Sequence, residues 1–236
     1  MKFIKSLVLL PLVLLLVGCG TTSTVPITGR KQHLLVSNEQ VMSLANEQYQ
    51  QYMRTAKLST NASNTAMVKR VGQRLANAVT SYLTQHGEGE ELKQYRWEFN
   101  LVQDNSANAF CMPGGKIVVY EGLLPITKNE TALAIVLGHE IAHAVAHHSA
   151  ERLSSQLKAQ YGAAALGLIL SGSGASQATQ ELGQQVYGLG AQYGVMLPYS
   201  RKNESEADYM GLIFAAIAGY NPQEAVAFWQ RMNAGG

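Results

Sequence analysis

The chain has 236 residues, of which 47% are hydrophobic and 14% are charged. This composition is enough for one well-buried domain, and it excludes an intrinsically disordered chain and a collagen-like repeat. The net charge is +2, but Lys2 and Lys5 both lie at the extreme N-terminus and the remaining chain is neutral. A neutral body argues against nucleic acid as a partner, because nucleic-acid binding requires a clustered basic surface.

The N-terminal segment has the pattern of a bacterial lipoprotein signal. An apolar run at residues 7–17 follows two lysines and is too short to span a bilayer. It ends at Leu-Val-Gly-Cys, which is similar to a lipobox. We therefore expect residues 1–18 to be a signal peptide, Cys19 to carry membrane-anchoring lipid and residues 19–36 to be a tether. Gly20 in place of Asp favours the outer membrane, facing the periplasm. The alternative is an uncleaved anchor with an incidental cysteine.

Hydrophobic periodicity in the remaining chain predicts helices on either side of a short region of strands. Helices are predicted at about residues 37–58, 64–86, 127–153, 176–196, 201–218 and from 221 onward. Residues 37–40 and 127–130 have the capping-box pattern. Alternation predicts a strand at 95–101, and residues 108–112 and 116–120 flank a Pro-Gly-Gly turn typical of a hairpin. This order predicts an α+β fold, mostly helical with a small sheet, with residues 37–236 as one domain.

One motif carries most of the chemistry. His139, Glu140 and His143 form H-E-x-x-H inside the predicted helix 127–153. Four residues advance a helix by slightly more than one turn, so both imidazoles leave one face and can bind one metal ion. Glu140 can then reach a metal-bound water without being a ligand, as in zinc hydrolases. The alternative is a helix with two hydrogen-bonded histidines, but the apolar flanks predict burial, where unpaired imidazoles are costly.

A catalytic zinc needs a third protein ligand. His147, His148 and the downstream carboxylates are the candidates, and three ligands along one helix cannot surround a tetrahedral ion well. Glu204 is the better candidate, because Asp208 follows it by one turn and can accept the other N–H of a ligating histidine. Glu206 is expected to be solvated, because it lies on another side of the same helix.

Three ordered motifs resemble the zinc metallopeptidase family of HtpX and the CAAX prenyl proteases, metallopeptidase family forty-eight. They are H-E-x-x-H at 139–143, Asn-Glu-Ser-Glu-Ala-Asp at 203–208, and Asn-Ala-Phe-x-x-Pro-Gly-Gly at 108–115. The resemblance covers about residues 64–232. With the lipobox added, the chain most resembles the subgroup of soluble outer-membrane lipoproteins that includes LoiP and BepA.

The resemblance implies a function and a role for each residue. It implies one Zn²⁺ per chain, bound by His139, His143 and Glu204. Glu140 would be the general base, and Asp208 would be a carboxylate that supports a ligand. An edge strand over the cleft would be formed by Asn108, Ala109, Phe110, Cys111 and Met112. An extended substrate adds to such an edge by backbone hydrogen bonds, which suits unfolded or misfolded envelope proteins. The implied protein is a zinc endopeptidase of envelope quality control.

Two departures from the family pattern leave alternatives open. Cys111 stands where Ala is expected, either as a small apolar side chain or as a thiolate that reaches the zinc. The chain ends at Gly236 without the family's Ser-Thr-His-Pro segment, so either the domain lacks its C-terminal end here or its oxyanion donor differs. Four side chains are candidates for stabilising the oxyanion instead: Tyr199, Arg201, His147 and His148. The rival function is a zinc-bound, weakly catalytic lipoprotein that binds unfolded proteins as a chaperone. A third possibility is a helical envelope lipoprotein with a fortuitous motif.

Overall fold

The structure is a computed structural model that describes residues 21–171, 181 and 199–234. Its helices are α1 (Asn38–Thr55), α2 (Ala62–Gln85), α3 (Gly89–Leu92), α4 (Leu124–Thr127), α5 (Glu130–Val145), α6 (His148–Ser171), α7 (Arg201–Ile217) and α8 (Glu224–Ala234). Its strands are β1 (Thr21–Thr24), β2 (Lys31–Leu34), β3 (Glu98–Val102), β4 (Ala109–Met112) and β5 (Lys116–Tyr120). The predicted signal peptide, Cys19 and, apart from Glu181, the predicted helix 176–196 lie outside the described residues. Within the described ranges, no helix is both long enough and apolar enough to span a lipid bilayer.

Helices and a small sheet share one core, which confirms the predicted α+β class. The sheet has the order β3-β5-β4. Strands β4 and β5 are the predicted hairpin, antiparallel with Phe110 opposite Val118, and β3 runs parallel to β5. Strand β3 begins later than predicted because the chain before it is bound to the hairpin turn. The Arg96 N–H donates to the Gly114 carbonyl oxygen 2.8 Å away.

Local signals fix several helix ends where they were predicted. The capping box at the start of α1 is formed, with the Ser37 hydroxyl accepting from the Gln40 N–H and the Gln40 side chain accepting from the Ser37 N–H. Helix α2 ends just before Gly87 and α7 just before Gly219. Both glycines have positive φ, of 78° and 83°, a conformation that glycine adopts without steric cost.

Helix α5 crosses the core and carries the H-E-x-x-H motif. It packs against α7 on one side and against β4 and α2 on others. Residues 132–138 are buried without interruption, as expected for a helix that is apolar all round. The motif therefore lies in the interior rather than on a solvated helix.

The predicted helix 127–153 is wrong at both ends. Asn129, not Thr127, caps α5, because the Asn129 side chain accepts from the Ala132 N–H at 2.8 Å. The Thr127 hydroxyl instead donates to the Leu124 carbonyl oxygen. Helix α5 ends at Val145, and a separate helix, α6, starts at His148. His147 between them has a φ of 53°, which a continuous right-handed helix does not allow.

The tether predicted over residues 19–36 is also wrong for its described part. Strands β1 and β2 pair as an antiparallel hairpin, and Val25 and Leu34 are buried. The Gln32 side chain donates to the Ala146 carbonyl oxygen at 3.0 Å, at the break between α5 and α6. Apolar side chains on one face of this short hairpin pack against the domain, so this segment is part of the folded body.

Candidate metal centre

Three predicted ligands converge in the structure. His139 and His143 project from one face of α5, and Glu204 reaches them from α7. The two Nε2 atoms lie 3.0 Å apart, and Glu204 Oε2 lies 3.4 Å from that of His139 and 3.7 Å from that of His143. In a tetrahedral site with bonds of about 2.1 Å, ligand atoms lie about 3.4 Å apart. The three side chains therefore fit a zinc ion.

No fourth histidine, cysteine or acidic side chain joins this group among the described residues. A tetrahedral ion held by three protein atoms keeps one position for water or substrate, which is the pattern of catalytic rather than structural zinc. His147 and His148, the rival ligand candidates, both lie outside the group.

Glu204 reaches the histidines because α5 and α7 cross in close contact. Ser200 caps α7, its hydroxyl accepting from the Asn203 N–H, and Glu204 lies in the first turn. The adjacent imidazoles of His139 and His143 hold the pKa of the Glu204 carboxyl far below its usual range. The carboxylate is therefore ionised and ready to bind a cation.

Asp208 contacts His139, the histidine that it is predicted to support. His139 Nδ1 lies 2.8 Å from Asp208 Oδ1, and a carboxylate only accepts, so Nδ1 carries the proton and Nε2 faces the ligand group. Burial lowers the pKa of His139, but the interactions with Asp208 and Glu204 outweigh burial and raise this pKa to about 10. A metal that binds Nε2 therefore has to displace a firmly held proton.

His143 is enclosed on its other side. The ring of Tyr199 stacks on it with centroids 4.1 Å apart, and its Nδ1 lies 2.8 Å from His148 Nδ1. Burial lowers the pKa of His143 to about 4, with His139 adding to the effect. The imidazole is therefore neutral near pH 7, the form that binds metals.

Glu140 lies beside the ligand group without belonging to it. Burial raises its pKa to about 7; His139 opposes this rise and Glu204 adds to it. The backbone N–H of Cys111 on β4 donates to the carboxyl and also opposes the rise in its pKa. A carboxylate with a pKa near neutrality is suited to take up and release a proton.

The predicted edge strand is β4, which forms one edge of the sheet. It packs against α5. The Asn108 carbonyl oxygen accepts from the Tyr120 N–H, and that of Met112 accepts from the Gly115 N–H. Backbone groups alternate along a strand. Those of Ala109 and Cys111 therefore point to the outer edge, towards Glu140.

Cys111 is buried, and its Sγ donates to the Met112 carbonyl oxygen at 3.6 Å. Burial raises the pKa of the thiol well above its usual value. The thiol is not part of the ligand group, which favours the expectation of a small apolar side chain over that of a metal-bound thiolate.

One residue on α7 contradicts its prediction. Glu206, expected to be solvated, is buried. It accepts from Arg30, Thr28 and His148, and these hydrogen bonds outweigh burial and lower its pKa to about 2. Sequence reasoning missed Arg30 entirely, since nothing in its local sequence distinguishes it from a surface residue.

Three of the four candidate oxyanion donors are engaged elsewhere. The Tyr199 hydroxyl bonds to Ser149 at 2.8 Å. His147 Nε2 faces Asn38 and Glu91, and His148 lies behind His143. Their polar atoms therefore have partners away from the open side of the ligand group.

Two histidines and a glutamate that converge beside a buried carboxylate form a centre suited to metal-dependent hydrolysis. Residues 62–235 match Peptidase family M48. The chain belongs to this family of metallopeptidases.

Its relatives come from mitochondria and from bacteria. The chain is 35% identical over 213 residues to the mitochondrial metalloendopeptidase OMA1 of Schizosaccharomyces pombe, covering 89% of this chain and 57% of that protein. The human OMA1 is 30% identical over 211 residues, which cover 88% and 39% of the two chains. The beta-barrel assembly-enhancing protease of Escherichia coli is 25% identical over 221 residues, which cover 90% and 41%. The chain thus spans less than two thirds of each relative, and these relatives do not establish the expected LoiP/BepA-like subgroup.

Proposed function

We propose that the protein is a zinc-dependent endopeptidase of the bacterial envelope, with one Zn²⁺ held by His139, His143 and Glu204. The observation that carries the proposal is the convergence of two Nε2 atoms and one carboxylate oxygen at the spacing of a tetrahedral site. Membership of Peptidase family M48 supports the same chemistry.

Zinc, when bound, supplies an acidified water and polarises the scissile carbonyl group. Glu140 is the general base: it takes a proton from the water and delivers it to the leaving amine. Its pKa of about 7 suits both steps. Asp208 holds the Nδ1 proton of His139 and so keeps Nε2 directed at the ion.

The proposed substrates are unfolded or misassembled envelope proteins. The outer edge of β4 offers the backbone groups of Ala109 and the carbonyl oxygen of Cys111 beside Glu140, so an extended peptide can add there as a strand. Backbone pairing selects for an unfolded chain rather than for a sequence. The name of the E. coli relative, a beta-barrel assembly-enhancing protease, fits a substrate of this kind. We further propose that lipid on Cys19 places the domain at the outer membrane, facing the periplasm.

A second candidate is a zinc-bound, weakly catalytic lipoprotein that binds unfolded chains as a chaperone. It is favoured by one observation: Tyr199, His147 and His148 use their polar atoms for other partners. Without an oxyanion donor, a hydrolase loses a factor of about 10²–10³ in turnover.

Cleavage of casein by the purified full chain separates these functions, with zinc content measured on the same samples. The proposal expects cleavage that a chelator abolishes, and a Glu140→Gln variant that keeps its zinc without turnover. Glu121→Gln, a change in a glutamate bound to Ser59 on another part of the surface, is the matched control. Cleavage by Glu140→Gln at the wild-type rate overturns the mechanism. Stoichiometric zinc without cleavage supports the chaperone candidate.

A further inference from the structure

A line of five polar side chains runs from His143 to the N-terminal hairpin: His143, His148, Glu206, Arg30 and Thr28. His143 Nδ1 lies 2.8 Å from His148 Nδ1, and His148 Nε2 lies 2.9 Å from Glu206 Oε2. Arg30 Nε donates to the same Glu206 oxygen at 2.7 Å, and the Thr28 hydroxyl donates to the other at 2.5 Å. Helices α5, α6 and α7 and the turn of the hairpin each supply a member.

The line is buried from His143 to Glu206, partly buried at Arg30 and exposed at Thr28. The side chain of His148 is 0% exposed, that of Glu206 is 6% exposed and that of Arg30 is 12% exposed. A second carboxylate, Glu151, accepts hydrogen bonds from the two terminal nitrogens of the guanidinium, at 2.7 and 2.8 Å. Buried charges arranged this way require partners on every side, because an unpaired one is strongly destabilising.

The direction of each hydrogen bond follows from its donors and acceptors. The Glu206 carboxylate only accepts, so His148 donates from Nε2, and the tautomer protonated there offers a lone pair at Nδ1. His143 must then donate from Nδ1. Its remaining nitrogen, Nε2, is left with a lone pair that faces His139 and Glu204.

We propose that His148 and Glu206, held by Arg30 and Thr28 of the hairpin, are positioning residues that fix the tautomer and orientation of His143 as a metal ligand. This inference rests on the proposed metal site and adds a second support opposite to Asp208. Each ligating histidine then has its own supporting carboxylate. Asp208 contacts His139 directly, and Glu206 acts on His143 through His148. It also makes the hairpin turn part of the metal centre, although it lies more than a hundred residues before the ligands in sequence.

His148 does not serve as an alternative ligand in this arrangement. Its Nδ1 meets the nitrogen of His143 that points away from the ligand group, and its Nε2 is bound to Glu206. A purely structural role for the line makes a different prediction: loss of a member would destabilise the fold without changing the affinity of the folded protein for zinc.

Zinc dissociation constants of the full chain, measured by competition with a chromogenic chelator, test the proposal. His148→Leu removes the acceptor and is expected to weaken zinc binding about 10–100-fold. His148→Asn places an amide oxygen where Nδ1 was, and is expected to recover part of that loss. Glu206→Gln is expected to weaken binding less than His148→Leu, and Glu121→Gln is the matched control without effect.

The visible absorption of the Co²⁺-substituted protein supplies a readout that a structural role would not change. The proposal expects altered bands in His148→Leu and Glu206→Gln, with the wild-type spectrum in Glu121→Gln. Unfolding temperatures of the metal-free variants identify any that fail to fold. If His148→Leu fails, the zinc affinities and spectra of His148→Asn and Glu206→Gln are compared with those of the wild type instead. Wild-type affinity and spectra in the folded variants overturn the inference. A wild-type chain that binds no zinc overturns the proposed function instead.

Discussion

Gly138 on α5 and Gly211 on α7 are in backbone contact. A Cβ atom on Gly138 would lie 2.7 Å from the Gly211 carbonyl oxygen, and one on Gly211 would lie 2.7 Å from the backbone nitrogen of His139. The helices therefore approach more closely than any side chain permits, at the position of the first predicted ligand. This approach sets the distance between Glu204 and the two histidines.

Gly211→Ala is expected to force the two helices apart. Overpacking of this kind costs about 1–3 kcal/mol of unfolding free energy, and zinc affinity should fall because Glu204 moves with α7. Gly89→Ala is the matched control, since a Cβ there meets its nearest neighbour, Thr84 Oγ1, at 3.4 Å. Thermal unfolding and chelator competition measure both effects. Wild-type zinc affinity in folded Gly211→Ala would contradict this account of the site.

Asp208→Ala is expected to weaken zinc binding about 10–100-fold, because His139 loses the acceptor that fixes its tautomer. Asp208→Asn keeps an oxygen acceptor and should lose less. The exposed Asp208 side chain contributes little to the core, so the unfolding temperature of the metal-free chain should barely change. Chelator competition gives the affinity. Equal binding by Asp208→Ala and the wild type would exclude a supporting role for this carboxylate.

Glu151 gives the fold an acid-sensitive component. Burial raises the pKa of its carboxyl, but hydrogen bonds from Arg30 and Asn203 outweigh burial and hold it below the usual value. A carboxyl whose pKa is lower in the folded state stabilises the fold above its unfolded pKa of about 4.5, and this contribution is lost as the pH falls through the folded value.

Glu151→Gln should therefore lower the unfolding free energy by about 1.5–3 kcal/mol at pH 7, as expected for hydrogen bonds to charged groups. The gap between wild type and variant should shrink as the pH falls below about 4.5. Denaturant unfolding of both chains from pH 7 to pH 3 measures it. A gap that stays constant or widens towards low pH would contradict the assignment.

Cys111→Ala is expected to keep both zinc and peptidase activity. The contact of Cys111 with Glu140 is made by its backbone, and its thiol bonds only weakly, to a neighbouring carbonyl oxygen. Metal analysis and casein cleavage check the variant against wild type. Loss of zinc from a folded Cys111→Ala chain would restore the thiolate-ligand alternative.

What could be predicted from the sequence was local. The ligand pair on α5 follows from a spacing of four residues, and the capping box at Ser37 and the Pro-Gly-Gly hairpin follow from short-range chemistry. Glu204 and Asp208 could be found because they also lie one helical turn apart.

What failed depended on distant residues. Glu206 is buried because it pairs with Arg30, 176 positions earlier. Helical spacing within α7 gives no information about that contact. The left-handed conformation of His147 is equally hidden, because His147 is not a glycine. In a continuous helix His148 would point about 140° away from His143, so its approach could not be read from spacing.

The early start of strand β1 limits how far an anchored domain can move. Strand β1 begins at Thr21, so under the proposed lipidation only Gly20 separates it from Cys19. An extended residue spans about 3.3–3.6 Å, so the Cα atoms of Cys19 and Thr21 can lie at most about 7 Å apart. A domain anchored in this way would not reach into the periplasm for a distant substrate and would diffuse in the plane of the bilayer. Under the proposed lipidation, its search for substrates would be two-dimensional and confined to chains that have already come to the membrane surface.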